Sequence, residues 1–196
     1  MPQQALTERK SLARRRVSAS RAKLPESDRH LAGTALLNHL LALPEVGMAG
    51  TIAAYVSIGA EPPTNALIYA LWKRGCYVLL PVLRDDLDLD WASYEGPSSL
   101  AAGPRGLLQP TEPLRGVRAI ASADFVVVPA LAVGRDGYRL GRGGGSYDRA
   151  LARVAPMVPT VALLYERELV DAVPVAEHDQ RVSAVAQPVR GITRLG

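Results

Sequence analysis

Over residues 139–149 the chain reads Arg139-Leu140-Gly141-Arg142-Gly143-Gly144-Gly145-Ser146-Tyr147-Asp148-Arg149, with four glycines in five positions ahead of residues that open a helix. Glycine lets a backbone adopt positive φ and come close to a ligand. A helix N-terminus adds unpaired N–H groups and roughly half a unit of positive charge, so a glycine loop that runs into a helix makes an anion site. Arg142 and Arg149 place full charges and forked donors beside it. Ser146 is the expected helix cap. On spacing alone the run serves equally as a plain turn. It is not a Walker A loop, because G-x-x-x-x-G-K-[ST] is absent. It is not a dinucleotide fingerprint either, because Ser146 stands where G-x-G-x-x-G needs its last glycine.

Three acids could take part in chemistry. Asp148, in the first turn of the expected helix, is explained by the preference of acids for helix N-termini. Beside bound phosphates it would instead be a Mg²⁺ ligand, provided a partner such as Asp179, in Ala176-Glu177-His178-Asp179-Gln180, folds nearby. Glu61 follows an expected strand and precedes a helix, where open α/β sheets place their sites; taken alone it reads as an exposed loop acid. His30, His39 and His178 show no metal-ligand spacing. Cys76 reads as a small buried hydrophobe, and Tyr69 and Trp72 as core residues at helical spacing.

These residues need a frame. The chain has 196 residues, 48% hydrophobic and 21% charged, with a mean hydropathy of +0.05, an ordinary globular composition long enough to bury a core in one domain spanning 1–196. No run of about 18 apolar residues occurs, so no transmembrane helix is expected. One cysteine excludes an intramolecular disulfide and fits a reducing compartment. One Phe and two Trp leave little for a base-stacking surface. Residues 1–30 carry eight Lys/Arg against three Asp/Glu, whereas the remainder carries 15 against 16. That segment is Arg-rich and Ser-bearing like a transit peptide but lacks a secretory apolar core, and it is read as part of the fold.

The periodicity predicts a helix over residues 6–24. Leu6, Ala13, Val17 and Leu24 share one stripe, Lys10, Arg14 and Arg21 lie flush beside it, and Arg9, Arg16 and Lys23 face away. The middle row can reach into a cleft. A second helix is expected from an N-cap at Ser27 through Leu31, Leu36 and Leu40 to a stop before Pro44. Strands are expected at 51–58, 77–83, 87–94, 125–128, 161–164 and 183–186, with helices at 64–74 and ending near 150–154 and an irregular connection at 95–119. The unbroken apolar run Phe125-Val126-Val127-Val128 fits a central parallel strand. Alternating strands and helices imply a layered α/β domain.

Three separated pieces, in order, resemble the 5-formyltetrahydrofolate cyclo-ligase family, also called 5,10-methenyltetrahydrofolate synthetase. Lys10-Ser11-Leu12-Ala13-Arg14 is similar to its N-terminal K-x-x-x-R helix, and residues 54–64, with Glu61 before Pro62-Pro63-Thr64, to its substrate segment. Residues 139–149 resemble its R-L-G-x-G-x-G-Y-Y-D-R signature, and residues 106–110 and 174–179 also fit. The resemblance implies a three-layer α/β/α fold with a mainly parallel sheet, similar to sugar-isomerase and CoA-transferase-like domains. It implies ATP- and Mg²⁺-dependent conversion of 5-formyltetrahydrofolate to 5,10-methenyltetrahydrofolate, with ADP and phosphate, through an N5-iminium phosphate. By position it assigns ATP to Lys10, Arg14, Arg139, Leu140, Gly141, Arg142, Gly143, Gly144, Gly145, Ser146 and Tyr147. It assigns folate to Arg14, Val56, Glu61 and residues 142–146, Mg²⁺ to Asp148 and Asp179, and a further phosphate contact to Arg149. The implied protein is a cytoplasmic monomer or weak dimer acting on a small molecule, without nucleic acid or membrane. Two departures stand out: Ser146 replaces the first Tyr of the Tyr-Tyr pair, and Ser183 stands where many members have Asp.

Two other classes compete. A sugar-phosphate isomerase or CoA transferase would recruit Glu61 as acid/base or covalent carboxylate, and neither predicts stabilisation by Mg-ATP. A nucleic-acid module using the basic helix would bind RNA with steep salt dependence, against which stands the slightly acidic, aromatic-poor remainder.

Overall fold

The computed structural model describes residues 2–103 and 106–196, with side chains from residue 4 onward. The chain opens with helices α1 (Pro2–Ala22), α2 (Glu26–Leu41) and α3 (Pro44–Met48), then strand β1 (Thr51–Ala53) and helix α4 (Asn65–Lys73). Strands β2 (Tyr77–Leu83), β3 (Leu89–Ser93), β4 (Leu100–Ala102), β5 (Leu108–Pro110), β6 (Phe125–Pro129), β7 (Ala132–Gly134) and β8 (Arg139–Leu140) follow. Helix α5 (Ser146–Leu151) and strands β9 (Thr160–Leu163), β10 (Leu169–Val170), β11 (Ala184–Gln187) and β12 (Gly191–Arg194) complete it.

Seven strands form one sheet in the order β12-β11-β9-β6-β1-β2-β3. The five from β11 to β2 are parallel, and antiparallel β12 and β3 close the edges. Both faces are covered, which is why the inner strands are apolar without alternation. Ile52, Phe125, Val127, Val161 and Leu163 pack under α2, α3 and α4 through Leu36, Leu40, Val46, Leu67, Ile68 and Leu71. Ala53, Val126, Val128, Ala162 and Val185 face the opposite way, against Trp91, Ile120 and Ala123, and Ala150 and Leu151 of α5. The result is a mixed α/β fold of three layers, mostly parallel, in which the second helical layer is thin.

Local differences from the sequence reading have physical causes. Helix α2 is preceded by Pro25 in an extended conformation, and Ser27 bonds Asp28 instead of capping. Leu31 is exposed because it lies on the solvent face of α2, opposite Leu36 and Leu40. The ladder expected over 51–58 ends at Ala53, beyond which the chain leaves the sheet to build the site. Leu87 belongs to the β2–β3 turn with φ 64°, so β3 starts only at Leu89. The 95–119 connection contains the β4–β5 hairpin, while residues 104 and 105 lie outside the described residues. The hairpin-like turn at Arg135-Asp136-Gly137 is present, Gly137 taking φ 86° between β7 and β8. Tyr69 is exposed and Trp72 half-buried at the layer's rim, with Lys73 over both rings. Cys76 is half-buried, its thiol donating to Ala49 O.

Candidate active site

Strand β1 is the switch point of the sheet: the chain moves one way to β2, and β6, β9 and β11 are laid down on the other side. Ligands of open α/β sheets bind beyond the carboxyl ends of strands at such a point. A cleft of about 1040 Å³ opens there, lined by residues that follow β1 and β6, by the glycine loop after β8, and by Lys10 and Arg14 of α1. That volume is at the upper end for one small ligand.

The segment after β1 is rigid for local reasons. Buried Thr64 donates its hydroxyl to Tyr55 O at 2.6 Å and accepts from Ser57 N at 2.9 Å, which cinches the loop. Pro63 packs against Gly33 of α2, where a Cβ would lie 3.1 Å from the proline ring. Glu61, expected as an exposed loop acid on its own merits, is only 7% exposed. Its carboxylate accepts from Ile58 N and from Arg142 Nε, both at 2.9 Å. Val56 lines the cleft beside it.

The glycine loop meets the first helix directly. Arg14 Nε donates to Gly141 O at 2.8 Å, and its guanidinium lies 3.2 Å from where a Gly143 Cβ would stand. Gly143 has φ 109° and Gly145 φ 68°, left-handed values that exclude most side chains. Gly145, not Ser146, is the N-cap of α5; Ser146 is its first helical residue and lines the cleft. Arg149 donates to Gly144 O at 3.1 Å and to Leu87 O at 2.6 Å, bracing the loop against the β2–β3 turn.

The two distant acids come together around one peptide unit. Asp148 Oδ1 accepts from Arg139 at 2.9 Å and from Gln180 N at 3.0 Å. Asp179 Oδ2 accepts from Lys10 Nζ at 2.6 Å and from Ala176 N at 2.7 Å. Burial pushes the Asp179 carboxyl up, but the bonds from Lys10 and Ala176 outweigh it and hold it below the usual carboxylate range. Arg139 is buried under Asp148, and burial pulls its guanidinium below the ordinary arginine value. Tyr55 and Tyr147 also line the cleft; their hydroxyls are buried without a hydrogen-bond partner, and burial, with Glu61 nearby, pushes both phenols up.

The cleft thus gathers Lys10, Arg14, Val56, Glu61, residues 139–149 and Asp179. Arg21, in the same row of α1 as Lys10 and Arg14, does not reach it and pairs with Glu168 instead. Ser183 lies outside the cleft at the opposite strand ends, bonded to Thr160, so an acid at that position would not join Asp148 and Asp179. The sequence reading missed Tyr55, Gln180 and the leucines of the far wall (Leu83, Leu87, Leu107, Leu108). The position of Tyr55 just after β1 was the available signal for the first, and the family-like segment 106–110 for Leu107 and Leu108; no local pattern marks Gln180, Leu83 or Leu87.

Comparison with known proteins identifies the family of the chain. The sequence profile of the 5-formyltetrahydrofolate cyclo-ligase family matches residues 6–188. The chain is 40% identical to 5-formyltetrahydrofolate cyclo-ligase of Mycolicibacterium smegmatis over 191 residues, 95% of this chain and 97% of that one. It is 32% identical to the Escherichia coli K12 protein of the same name over 86% of this chain and 93% of that one. The NMR structure of Aquifex aeolicus 5,10-methenyltetrahydrofolate synthetase superposes with a TM-score of 0.82 at 27% identity, covering 95% of this chain and 92% of that chain. With its fold and nearly its whole length in common with these proteins, the chain is an enzyme of the ligase class and belongs to the 5-formyltetrahydrofolate cyclo-ligase family.

Proposed function

We propose that the cleft binds ATP and 5-formyltetrahydrofolate together and closes the folate ring to 5,10-methenyltetrahydrofolate, releasing ADP and phosphate. The observation that carries this reading is that one cavity is lined both by the glycine loop with its cations and by the Glu61 segment that follows β1.

The chemistry explains why both are needed. Ring closure requires N10 to displace the formyl oxygen on N5, and hydroxide is too poor a leaving group near neutral pH. The formyl oxygen therefore attacks the γ-phosphorus of ATP, an O–P bond forming as the bond to ADP breaks. N10 then attacks the formyl carbon of the N5-iminium phosphate, phosphate departs with the former formyl oxygen, and N10 gives up its proton. Such a transfer depends on alignment and charge neutralisation. A charge pair at about 4 Å is worth roughly 1 kcal/mol in water but about 4 kcal/mol at an effective dielectric of 20, so several cations in a partly closed cleft are required.

Lys10, Arg14 and Arg142 supply that charge around the loop amides of residues 141–147, with Arg149 beside Gly144. Arg139, buried, serves by holding Asp148. Glu61 orients the pterin together with Val56 and residues 142–146, and the protonated phenols of Tyr55 and Tyr147 offer donors at the floor. With Ser146 in place of a first tyrosine, the aromatic contribution falls to Tyr147.

The donor set suits Mg²⁺. Arg139 and Gln180 use only Oδ1 of Asp148, and Lys10 and Ala176 use only Oδ2 of Asp179, which leaves a second oxygen on each without a hydrogen bond, that of Asp179 lying 3.8 Å from His178 Nε2. No group of three or more His, Cys, Asp or Glu side chains among the described residues could hold a metal. Mg²⁺ is commonly held by one or two carboxylates plus phosphate oxygens and water. Asp148 and Asp179 would hold it, and it would neutralise charge on the transferring phosphoryl group.

The test is direct. Protein mixed with Mg-ATP and 5-formyltetrahydrofolate should build up methenyltetrahydrofolate absorbance, and omission of ATP or Mg²⁺ should abolish it. Product formed without ATP, or none with all components, overturns the proposal. Arg14→Ala should weaken nucleotide or folate binding; wild-type affinity for both would leave Arg14 only a tie between α1 and the glycine loop.

A further inference from the structure

Helix α1 is 21 residues long, yet among its described side chains the one that is fully buried is Arg21. Ala13 and Val17 are only half-buried, against the small cluster of Leu131, Ala132, Leu140 and Val173, and Leu12 faces solvent. So little apolar contact cannot by itself define how a long helix sits. Its placement rests largely on three polar contacts along one face: Lys10 to Asp179, Arg14 to Gly141 O, and Arg21 to Glu168. The first two lie in the cleft among ligand-binding groups. The third does not.

Arg21 is built as an anchor. Its Nε and NH2 each meet one oxygen of Glu168 at 2.7 Å, and NH2 also donates to Ala130 O at 2.7 Å. Glu168 is fixed in turn: Oε2 accepts from Tyr165 N at 2.8 Å, and its carbonyl accepts from Val133 N at 2.9 Å. The guanidinium lies 5.5 Å from the centre of the Tyr165 ring. A two-pronged pair sets rotation as well as distance, which an ammonium cannot do. Eleven residues separate Arg21 from Lys10, roughly 16 Å of helix, so a tilt of about 10° at this anchor moves the ammonium by about 3 Å. Misplacement by about 1 Å can cost a hundredfold in rate.

We propose that Arg21, clamped by Glu168, is a positioning residue for the nucleotide end of the cleft, acting through Lys10 and Arg14. The inference rests on the nucleotide reading given above. The experiment is a mutant cycle scored by KM for ATP at a temperature where every variant is folded. Arg21→Lys keeps the charge and loses the fork; Arg21→Met with Glu168→Leu removes both charges, so neither is left buried and unpaired. Either change should raise KM for ATP tenfold or more in the wild-type background. In a Lys10→Met/Arg14→Ala background either should change it less than twofold, because the groups through which Arg21 acts are gone. An unchanged KM for ATP in the wild-type background, with the Lys10→Met/Arg14→Ala parent itself impaired, overturns the positioning role. So does an equal rise in both backgrounds. If the Lys10→Met/Arg14→Ala parent keeps a wild-type KM, the nucleotide reading itself has failed and the inference falls with it. Should Arg21→Lys not fold, the charge-free double variant decides alone.

Discussion

Each acid of the site carries its own cation: Asp148 has Arg139, Asp179 has Lys10 and Glu61 has Arg142. This pairing lets three carboxylates sit around one cleft without mutual repulsion. It also separates supporting roles from reacting ones. Asp148→Asn keeps a carbonyl oxygen for Arg139 and Gln180, so circular dichroism should be unchanged while Mg²⁺-dependent turnover falls roughly a hundredfold, in line with the loss of a charged ligand. Turnover equal to wild type across a Mg²⁺ titration would remove Asp148 from the reaction. The types of these residues were legible in the sequence, but their partners were not. Glu61 is buried because Arg142, 81 positions away, and the amide of Ile58 satisfy it.

The conformation of the glycine loop depends on residues without a side chain. Gly143 combines φ 109° with the Arg14 guanidinium 3.2 Å from where a Cβ would stand. Gly143→Ala adds backbone strain of about 1–3 kcal/mol and pushes Arg14 off Gly141 O. ATP affinity should fall at least tenfold by calorimetry, with folate affinity less affected; unchanged ATP binding would mean that the α1–loop contact is incidental. Strand and helix content was readable wherever elements were long enough to show a period: β2 follows the expected span, and β6 extends it by one residue. The two- and three-residue strands β7, β8 and β10 were not, nor were the five-residue α3 and the four-residue β12, because so few residues carry no periodic signal. The cap of α5 also went unread, since left-handed Gly145 replaces a side-chain cap by backbone geometry.

At the scale of the molecule, the cleft walls must be held to one another. Asp88, in the β2–β3 turn, is clamped by Arg153 beyond α5 through bonds of 2.9 and 2.6 Å. Those bonds, chiefly, hold its carboxyl below the usual carboxylate range. A depressed folded-state pKa stabilises above the unfolded value of about 3.9, and that stabilisation is lost as pH falls through the folded value. The gap in thermal midpoint between wild type and Asp88→Asn should therefore be full at pH 6 and narrow below about pH 4. A gap that stays constant down to pH 2.5 would show that the clamp contributes nothing through charge.

The sequence alone was enough for the layered α/β class, the central apolar strand, the glycine loop and the roll of charged residues, because periodicity, backbone permissiveness and charge are properties of neighbouring positions. Only the tertiary structure decided which charge meets which. Lys10 and Asp179 stand 169 positions apart and Arg21 and Glu168 147 apart, yet both pairs close within hydrogen-bonding distance. Three arginines and lysines share one row of α1, and the direction of that helix across the sheet's carboxyl end sends two into the cleft and buries the third. No local rule distinguishes them, because the low-dielectric surroundings that make an ion pair strong are assembled only when distant segments pack.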